Sequence, residues 1–158
     1  MRKIQITELA ALGEIIASIG VIVSLGFLAY TIERNNEYSQ ATTDNLMYEM
    51  MNGVYEIVVT NPDVASIHVK LANGETLTAI EQMRHANHLW QHLNIWEMAF
   101  DRHQQGMLSN DKWEAWNQSF TIELLAPPFG LPRELWATDE TYGTEFRDHV
   151  NEMWNSLP

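Results

Sequence analysis

An uninterrupted apolar run near the N-terminus constrains this chain more than any other feature. From Ile15 to Ile32 the sequence reads IIASIGVIVSLGFLAYTI, without a charged residue. These 18 residues would rise about 27 Å as a helix, close to the roughly 30 Å hydrocarbon core of a bilayer. We therefore expect a single transmembrane helix spanning about residues 9–32. Residues 1–36 would form the membrane anchor, and residues 37–158 an acidic soluble domain.

Two other interpretations of this run exist. The hydrophobic region of a cleaved signal peptide is typically shorter, about 7–15 residues, and ends in small residues at the cleavage site. Here the run leaves through Tyr30-Thr31-Ile32-Glu33-Arg34, without that pattern. A buried helix of a soluble protein would need a domain large enough to cover it on all sides. A retained anchor therefore fits the sequence best.

The charge distribution limits the partners of the soluble part. Residues 35–158 carry the whole net charge of −12, with six basic and eighteen acidic side chains. Such a field repels nucleic acid phosphates and anionic lipid headgroups. The absence of cysteine excludes disulfides and thiolate metal ligands. The expected partners are the lipid bilayer and another transmembrane helix, and nucleic acid is not expected.

Small residues recur along one side of the apolar run. They follow three- and four-residue steps, which place them on one helical face, and we call them the small-residue stripe: Ala10, Gly13, Ala17, Gly20 and Ser24. Such a stripe lets two transmembrane helices approach closely, whether of two copies or of a partner subunit. Small residues are also simply common in membrane helices. Glu14 borders the stripe, as a buried partner for another group or as a carboxylate that reaches the headgroups.

After the span, every segment has helical periodicity, so the fold class is all-α, a transmembrane helix followed by a small helical bundle. Helical spacing predicts the apolar face of a helix over residues 40–59, made by Met47, Met50, Met51, Val54 and Val58. Further helices are predicted after Asn61-Pro62, from Thr78 to about residue 105, and after Ser109 or Asn110. A single turn is predicted near residues 131–136, and a last helix begins with Thr144 as its cap.

The layout resembles an uncharacterised family of small bacterial membrane-anchored proteins. The likeness rests on L-x-x-x-G-E from Leu9 to Glu14, I-x-R-N-N from Ile32, Asn61-Pro62, Trp113 and two longer motifs. These are W-E-x-A-F-x-x-H-x-x-G from Trp96 to Gly106 and E-F-R-x-x-V from Glu145 to Val150. The resemblance implies an N-terminal membrane helix, a helical bundle and a location in the bacterial inner membrane. It implies no activity.

Only a few charged residues indicate on which side of the membrane the soluble domain lies. Arg2 and Lys3 precede the span, and only Arg34 follows it closely. Because basic flanks mark the cytoplasmic side, this favours a periplasmic soluble domain. The resemblance implies the opposite side, since members of that family commonly carry more basic residues after the anchor.

Two local features are candidates for chemistry. His85, His88 and His92 lie three and four residues apart on one helical side, with Glu81 one turn before them, and such a set can share a metal ion. Histidines at the boundary between core and solvent without a ligand role give the same pattern. Glu97 falls within the apolar face of its helix and predicts a buried carboxylate. In a structural role, the carboxylate would pair with an indole N–H, with backbone amides, or with an arginine such as Arg84, Arg102 or Arg133. In a functional role, it would contact a ligand in a pocket or a partner.

These features support two functional hypotheses. The first is a non-enzymatic membrane-anchored interaction or accessory subunit, in a membrane complex or a homo-oligomer. The second is a metal- or small-ligand-binding helical protein that uses the histidines and Glu97. The sequence contains no phosphate-binding glycine loop, nucleophile elbow or calcium loop, so an enzyme is not expected. No cofactor is expected, except for a possible metal ion at the histidines.

Overall fold

The computed structural model describes residues 6–157, and over this range the chain is all-helical, with no strand. Six helices follow one another along the chain: α1 (Ile6–Thr60), α2 (Pro62–Ala72), α3 (Ala79–Gln104), α4 (Asn110–Leu125), α5 (Arg133–Thr138) and α6 (Thr144–Ser156). The chain forms two compact units, one up to Ser39 and the other from Gln40 onwards. The all-α expectation is confirmed.

The first unit is a single helical segment with an apolar surface. Between residues 9 and 32, every large apolar side chain exposes at least half of its surface, from 52% for Ile32 to 70% for Phe27. One 18-residue window has a mean hydropathy of 2.2, and none of it is buried. This helix is therefore long and apolar enough to span a membrane. The first five residues of the predicted anchor, including Arg2 and Lys3, lie outside the described residues.

Local signals in the sequence set the helix ends of the second unit. Pro62 lies in the first turn of α2, where its missing N–H costs nothing, and Gly74 follows the helix with a φ of +70°. Thr78 caps α3: its hydroxyl accepts from the Glu81 N–H, and the Glu81 carboxylate accepts from the Thr78 N–H. Gly106, with a φ of +72°, ends α3 where it was predicted to end.

The N-terminal ends of α4 and α6 have no capping hydrogen bond from a side chain. Ser109 precedes α4 as predicted, but its hydroxyl makes no capping hydrogen bond. Thr144 was predicted to cap the last helix, and this is wrong, because Gly143 holds the cap position and Thr144 is the first helical residue. The Gly143 N–H instead finds its acceptor in the Glu97 side chain, 3.0 Å away on α3.

The core of the second unit is built around one tryptophan. Trp96 is fully buried, and its ring stacks on Phe120 at 5.9 Å and meets the edge of Phe146 at 5.6 Å between centroids. Its indole N–H donates to Asn117 Oδ1 at 2.9 Å, which satisfies the one polar atom of the ring. The predicted face of α1 also reaches this core: Met47, Met51 and Val54 are buried, whereas Met50 and Val58 are half-buried.

Candidate functional site

A largely apolar cavity of about 460 Å³ lies among four helices of the second unit. We call it the histidine pocket, because four imidazoles form one side of it. Helix α2 supplies His68, and α3 supplies His85, His88 and His92 at three- and four-residue steps that turn all three towards the same side. The remaining walls are mainly Tyr55, Val58, Val59, Leu89, Glu123, Leu124 and Phe129.

The imidazole rings form a connected cluster across two helices. The His68 ring lies 6.1 Å from the His85 ring and 5.3 Å from the His88 ring, and His88 lies 4.6 Å from His92, in edge-on arrangements. Phe129 stacks on His68 at 5.7 Å. His88 and His92 are only 7% and 4% exposed, so α2 and the Phe129 loop remove from water a side of α3 that its sequence places at the boundary.

Backbone carbonyls determine which nitrogen carries the proton in two of these rings. His85 Nε2 lies 3.1 Å from the Phe129 carbonyl, and His92 Nδ1 lies 3.1 Å from the His88 carbonyl. A carbonyl only accepts hydrogen bonds, so each of these nitrogens must donate. The second nitrogen of each neutral ring, His85 Nδ1 and His92 Nε2, is therefore a lone-pair acceptor.

Three buried ring nitrogens in the pocket have no hydrogen-bond partner. They are His68 Nε2, His85 Nδ1 and His88 Nδ1. Buried polar groups are nearly always paired, because each one left unpaired costs about 1–3 kcal/mol. All three atoms belong to residues that line one cavity.

Burial keeps the four imidazoles neutral. It is the largest cause that lowers the pKa of each of them, and it lowers the pKa of His88 to about 4, with a further contribution from the neighbouring histidines. At neutral pH the rings therefore carry no charge. The pocket's one acidic side chain, Glu123, is then its only formal charge among the lining residues.

Glu123 is fixed at the edge of the pocket by three contacts. The Tyr55 hydroxyl donates to both carboxylate oxygens, at 2.9 and 3.0 Å, and the Ser119 hydroxyl donates to Oε1 at 3.1 Å. Burial and the carboxylate together raise the pKa of Tyr55 to about 12, so its phenol stays protonated. Glu123 Oε2 also lies 3.7 Å from His92 Nε2, so two acceptors lie close to one another.

The four predicted metal ligands do not come together. The Glu81 carboxylate is occupied by Lys70 Nζ, 2.6 Å away, and by the N–H and hydroxyl of Thr78. Over residues 6–157, no group of three or more potential ligand side chains is arranged to hold a metal ion. Metal binding at His85, His88 and His92 stays a prediction, and these three residues belong instead to a pocket that also contains His68.

Neither Glu97 nor Glu14 is fully buried, and both alternatives for Glu14 stay predictions. Glu97 is half-buried, at the point where the Gly143 backbone contacts α3. Its carboxylate accepts a hydrogen bond from the Gly143 N–H, which is one of the partners expected for it, a backbone amide. None of Arg84, Arg102 and Arg133 pairs with it; Arg84 contacts Asp63 instead, at 3.2 Å. Glu14 is exposed on α1.

The small-residue stripe lies on the exposed surface of α1. Ala10, Gly13, Ala17, Gly20 and Ser24 are all exposed, and a methyl group added at Gly13 or Gly20 would meet no atom within 4 Å. The Ser24 hydroxyl donates to the Gly20 carbonyl at 2.7 Å, which satisfies it within the helix. The stripe is thus accessible to another helix.

Sequence reasoning missed four residues of the pocket: Tyr55, His68, Glu123 and Phe129. Tyr55 and Glu123 are 68 positions apart, and no local pattern joins them. Only His68 carried a signal, as a histidine on the short helix just before the histidine-bearing one. Comparison of the chain with family models, with curated proteins and with solved structures finds no match in any of the three.

Proposed function

We propose that this chain is a single-pass membrane protein that binds a small, mostly apolar molecule in its histidine pocket. One observation carries the binding proposal: the cavity combines apolar walls with three buried imidazole nitrogens that no protein group satisfies. Ligand sites are typically clefts of about 300–1,000 Å³ with mainly apolar walls and a few placed polar groups. The proposal assigns no reaction.

The exposed surface of α1 supports the membrane location. Exposing a row of large apolar side chains to water over residues 9–32 is unfavourable by about 25 cal/mol per Å², whereas lipid chains solvate the same row at no such cost. Lipid then takes the place of a protein core. We further propose a bacterial inner membrane location with the N-terminus in the cytoplasm and the acidic helical bundle in the periplasm; Arg2 and Lys3 before the span, against Arg34 alone close after it, support this orientation.

Carbonate extraction of isolated membranes tests the anchor. The full chain, and a control variant with Val69→Lys and Ile80→Lys on exposed sites of the second unit, are expected in the membrane pellet. Ile22→Lys with Val23→Lys puts two charges in mid-span, each costing about 3 kcal/mol, and should release the chain from the pellet. Full-length protein that is soluble and monodisperse without detergent would contradict the anchor.

The polar groups of the pocket indicate which end of a ligand enters first. His85 Nδ1, His92 Nε2 and the Glu123 carboxylate are all acceptors, so a hydroxyl or amine fits there better than a carboxylate. A carboxylate would meet Glu123 in a site with little water, where like charges repel strongly. The ligand class is therefore an apolar body with a neutral or cationic donor group.

Imidazole NMR of the full chain in lipid nanodiscs tests this binding. In ¹⁵N-histidine protein, 2-naphthol is expected to shift the pocket imidazole resonances saturably, and 2-naphthoate to shift them much less. Val58→Trp fills the pocket and should abolish the shift, whereas Val69→Trp, on an exposed site elsewhere, should retain it. Equal shifts in both variants would show that the probe dissolves in the lipid and would refute the pocket.

A second candidate function is favoured by the exposed stripe on α1. With open space at Gly13 and Gly20, the chain would dock on a second copy or on a partner subunit, as an interaction or accessory subunit. Gly20→Leu should lower cross-linking yield in membranes. Gly26→Leu is the matched control, since Gly26 is equally open but lies on another side of the helix. Cross-linking that is absent, or equal in both variants, would oppose this role.

A further inference from the structure

A second cavity, of about 390 Å³, lies between α5 and α6 and has the opposite chemistry. Two arginines, two tryptophans and two asparagines line most of it, and we call it the arginine pocket: Arg133, Trp136, Arg147, Asn151, Trp154 and Asn155. All six belong to the two short C-terminal helices. None of them lines the histidine pocket.

Both guanidinium groups are held against aromatic faces. Arg133 Cζ lies 5.2 Å from the centroid of the Trp154 ring, and Arg147 Cζ lies 5.3 Å from that of Trp136. Stacking of this kind orients a guanidinium and leaves its N–H edge available for other contacts. The Trp136 ring is itself fixed, because its N–H donates to Asn151 Oδ1 at 3.0 Å.

Neither guanidinium has an acidic partner. Among residues 6–157, Arg34, Lys70, Arg84 and Lys112 each contact a carboxylate within 4.0 Å, whereas Arg102, Arg133 and Arg147 contact none. Of these three, only Arg133 and Arg147 line a common cavity. In addition, Arg147 Nη1 is buried without any hydrogen-bond partner, which is costly for a charged group.

The asparagines supply further donors. Asn151 Oδ1 accepts from Trp136, and Asn155 Oδ1 accepts from Arg133 Nη2 at 3.2 Å, so both amide oxygens are in use. The two Nδ2 groups remain as donors beside the guanidiniums. The pocket therefore offers N–H donors and positive charge, and it has no acidic side chain in its lining.

We propose that the arginine pocket binds the oxyanion of a small soluble molecule, a carboxylate or a phosphate, between Arg133 and Arg147. The planar fork of a guanidinium matches two oxygens of either group, and such charge-assisted bonds are the strong ones. This site is independent of the histidine pocket, whose acceptors and Glu123 select against an anion.

Titration with inorganic phosphate and with acetate, at constant ionic strength in chloride, tests the site. Tryptophan indole N–H resonances of the full chain in zwitterionic nanodiscs report on Trp136 and Trp154. A saturable shift of these two resonances with either anion is expected, and the stronger of the two anions identifies the oxyanion. No saturable shift with either anion overturns the proposal. So does a shift that appears only when anionic lipid replaces zwitterionic lipid without added anion, because the ligand would then be a headgroup.

Variants separate the site from unspecific ion binding. Arg147→Gln should weaken anion binding at least about tenfold, since it removes a charged hydrogen bond. Arg133→Gln, at an exposed position, should do the same if Arg147→Gln does not fold. Arg84→Gln removes the same charge at a site away from the pocket and should leave the affinity unchanged. Equal weakening in all three variants overturns the proposal.

Discussion

The buried histidines should make the folded domain sensitive to acid, and His88 allows the size of this effect to be worked out. Its pKa falls from the usual 6.5 to about 4 because of burial and its histidine neighbours. Between these two pH values the unfolded chain binds a proton at this site and the folded protein does not. The free energy of unfolding therefore falls as the pH falls through this range, and the loss levels off below about pH 4.

The magnitude follows from the two pKa values. At about 1.36 kcal/mol per pKa unit, His88 alone removes about 2 kcal/mol of stability by pH 5 and about 3 kcal/mol by pH 4, relative to pH 8. The pKa values of His68, His85 and His92 are also lowered by burial, so these sites act in the same direction. The four rings are neighbours, so their proton uptake is coupled.

Guanidinium chloride unfolding of the full chain in detergent micelles measures this loss. All six tryptophans lie between Trp90 and Trp154, so their emission follows the second unit alone. His88→Gln should flatten the pH dependence of the unfolding free energy by about 3 kcal/mol between pH 8 and 4. Trp96→Phe alters the core without a titrating group and should shift the whole curve in parallel. A His88→Gln curve that parallels the wild type would refute the reasoning.

Two further predictions concern backbone positions and use the same unfolding assay. Gly130→Ala should cost about 1–3 kcal/mol, because the new methyl group would lie 2.8 Å from the Leu125 carbonyl carbon. Gly143→Ala should cost less, up to about 1 kcal/mol, because its methyl group meets only Glu97 Oε1 at 3.7 Å and the change affects only the helix cap. Thr78→Ala should cost about 1 kcal/mol, because it removes the capping hydrogen bond of α3, whereas Ser109→Ala removes no such bond and should cost clearly less. Similar losses within either pair would contradict these assignments.

Local rules in the sequence anticipated most of the helical layout. The Thr78-x-x-Glu81 box, Pro62 in a first turn and Gly106 after α3 each act within a few residues, and all three have the predicted roles. The spacing of Met47, Met51 and Val54 likewise identified a face that is buried in the core. The prediction that Thr144 caps α6 was wrong, because the cap residue Gly143 is held from outside the helix by the Glu97 side chain on α3.

The pocket could be predicted only in part, because contacts between different helices are not visible in the sequence of one helix. The spacing of His85, His88 and His92 showed that they share one side of α3, but that side is covered by the preceding helix α2 and by the Phe129 loop, which follows α4. Periodicity within one helix does not report which other helix covers it. Glu81, the nearest carboxylate in sequence, is engaged by Lys70 and Thr78, and the carboxylate at the pocket is Glu123 from α4.

Native mass spectrometry of the full chain, released from its own membranes in mild detergent, tests the central claim most directly. The account predicts a protein species that carries one small molecule, and predicts that Val58→Trp loses this adduct while Val69→Trp keeps it. An adduct-free protein, or an adduct equally retained by both variants, would contradict the histidine pocket as a binding site.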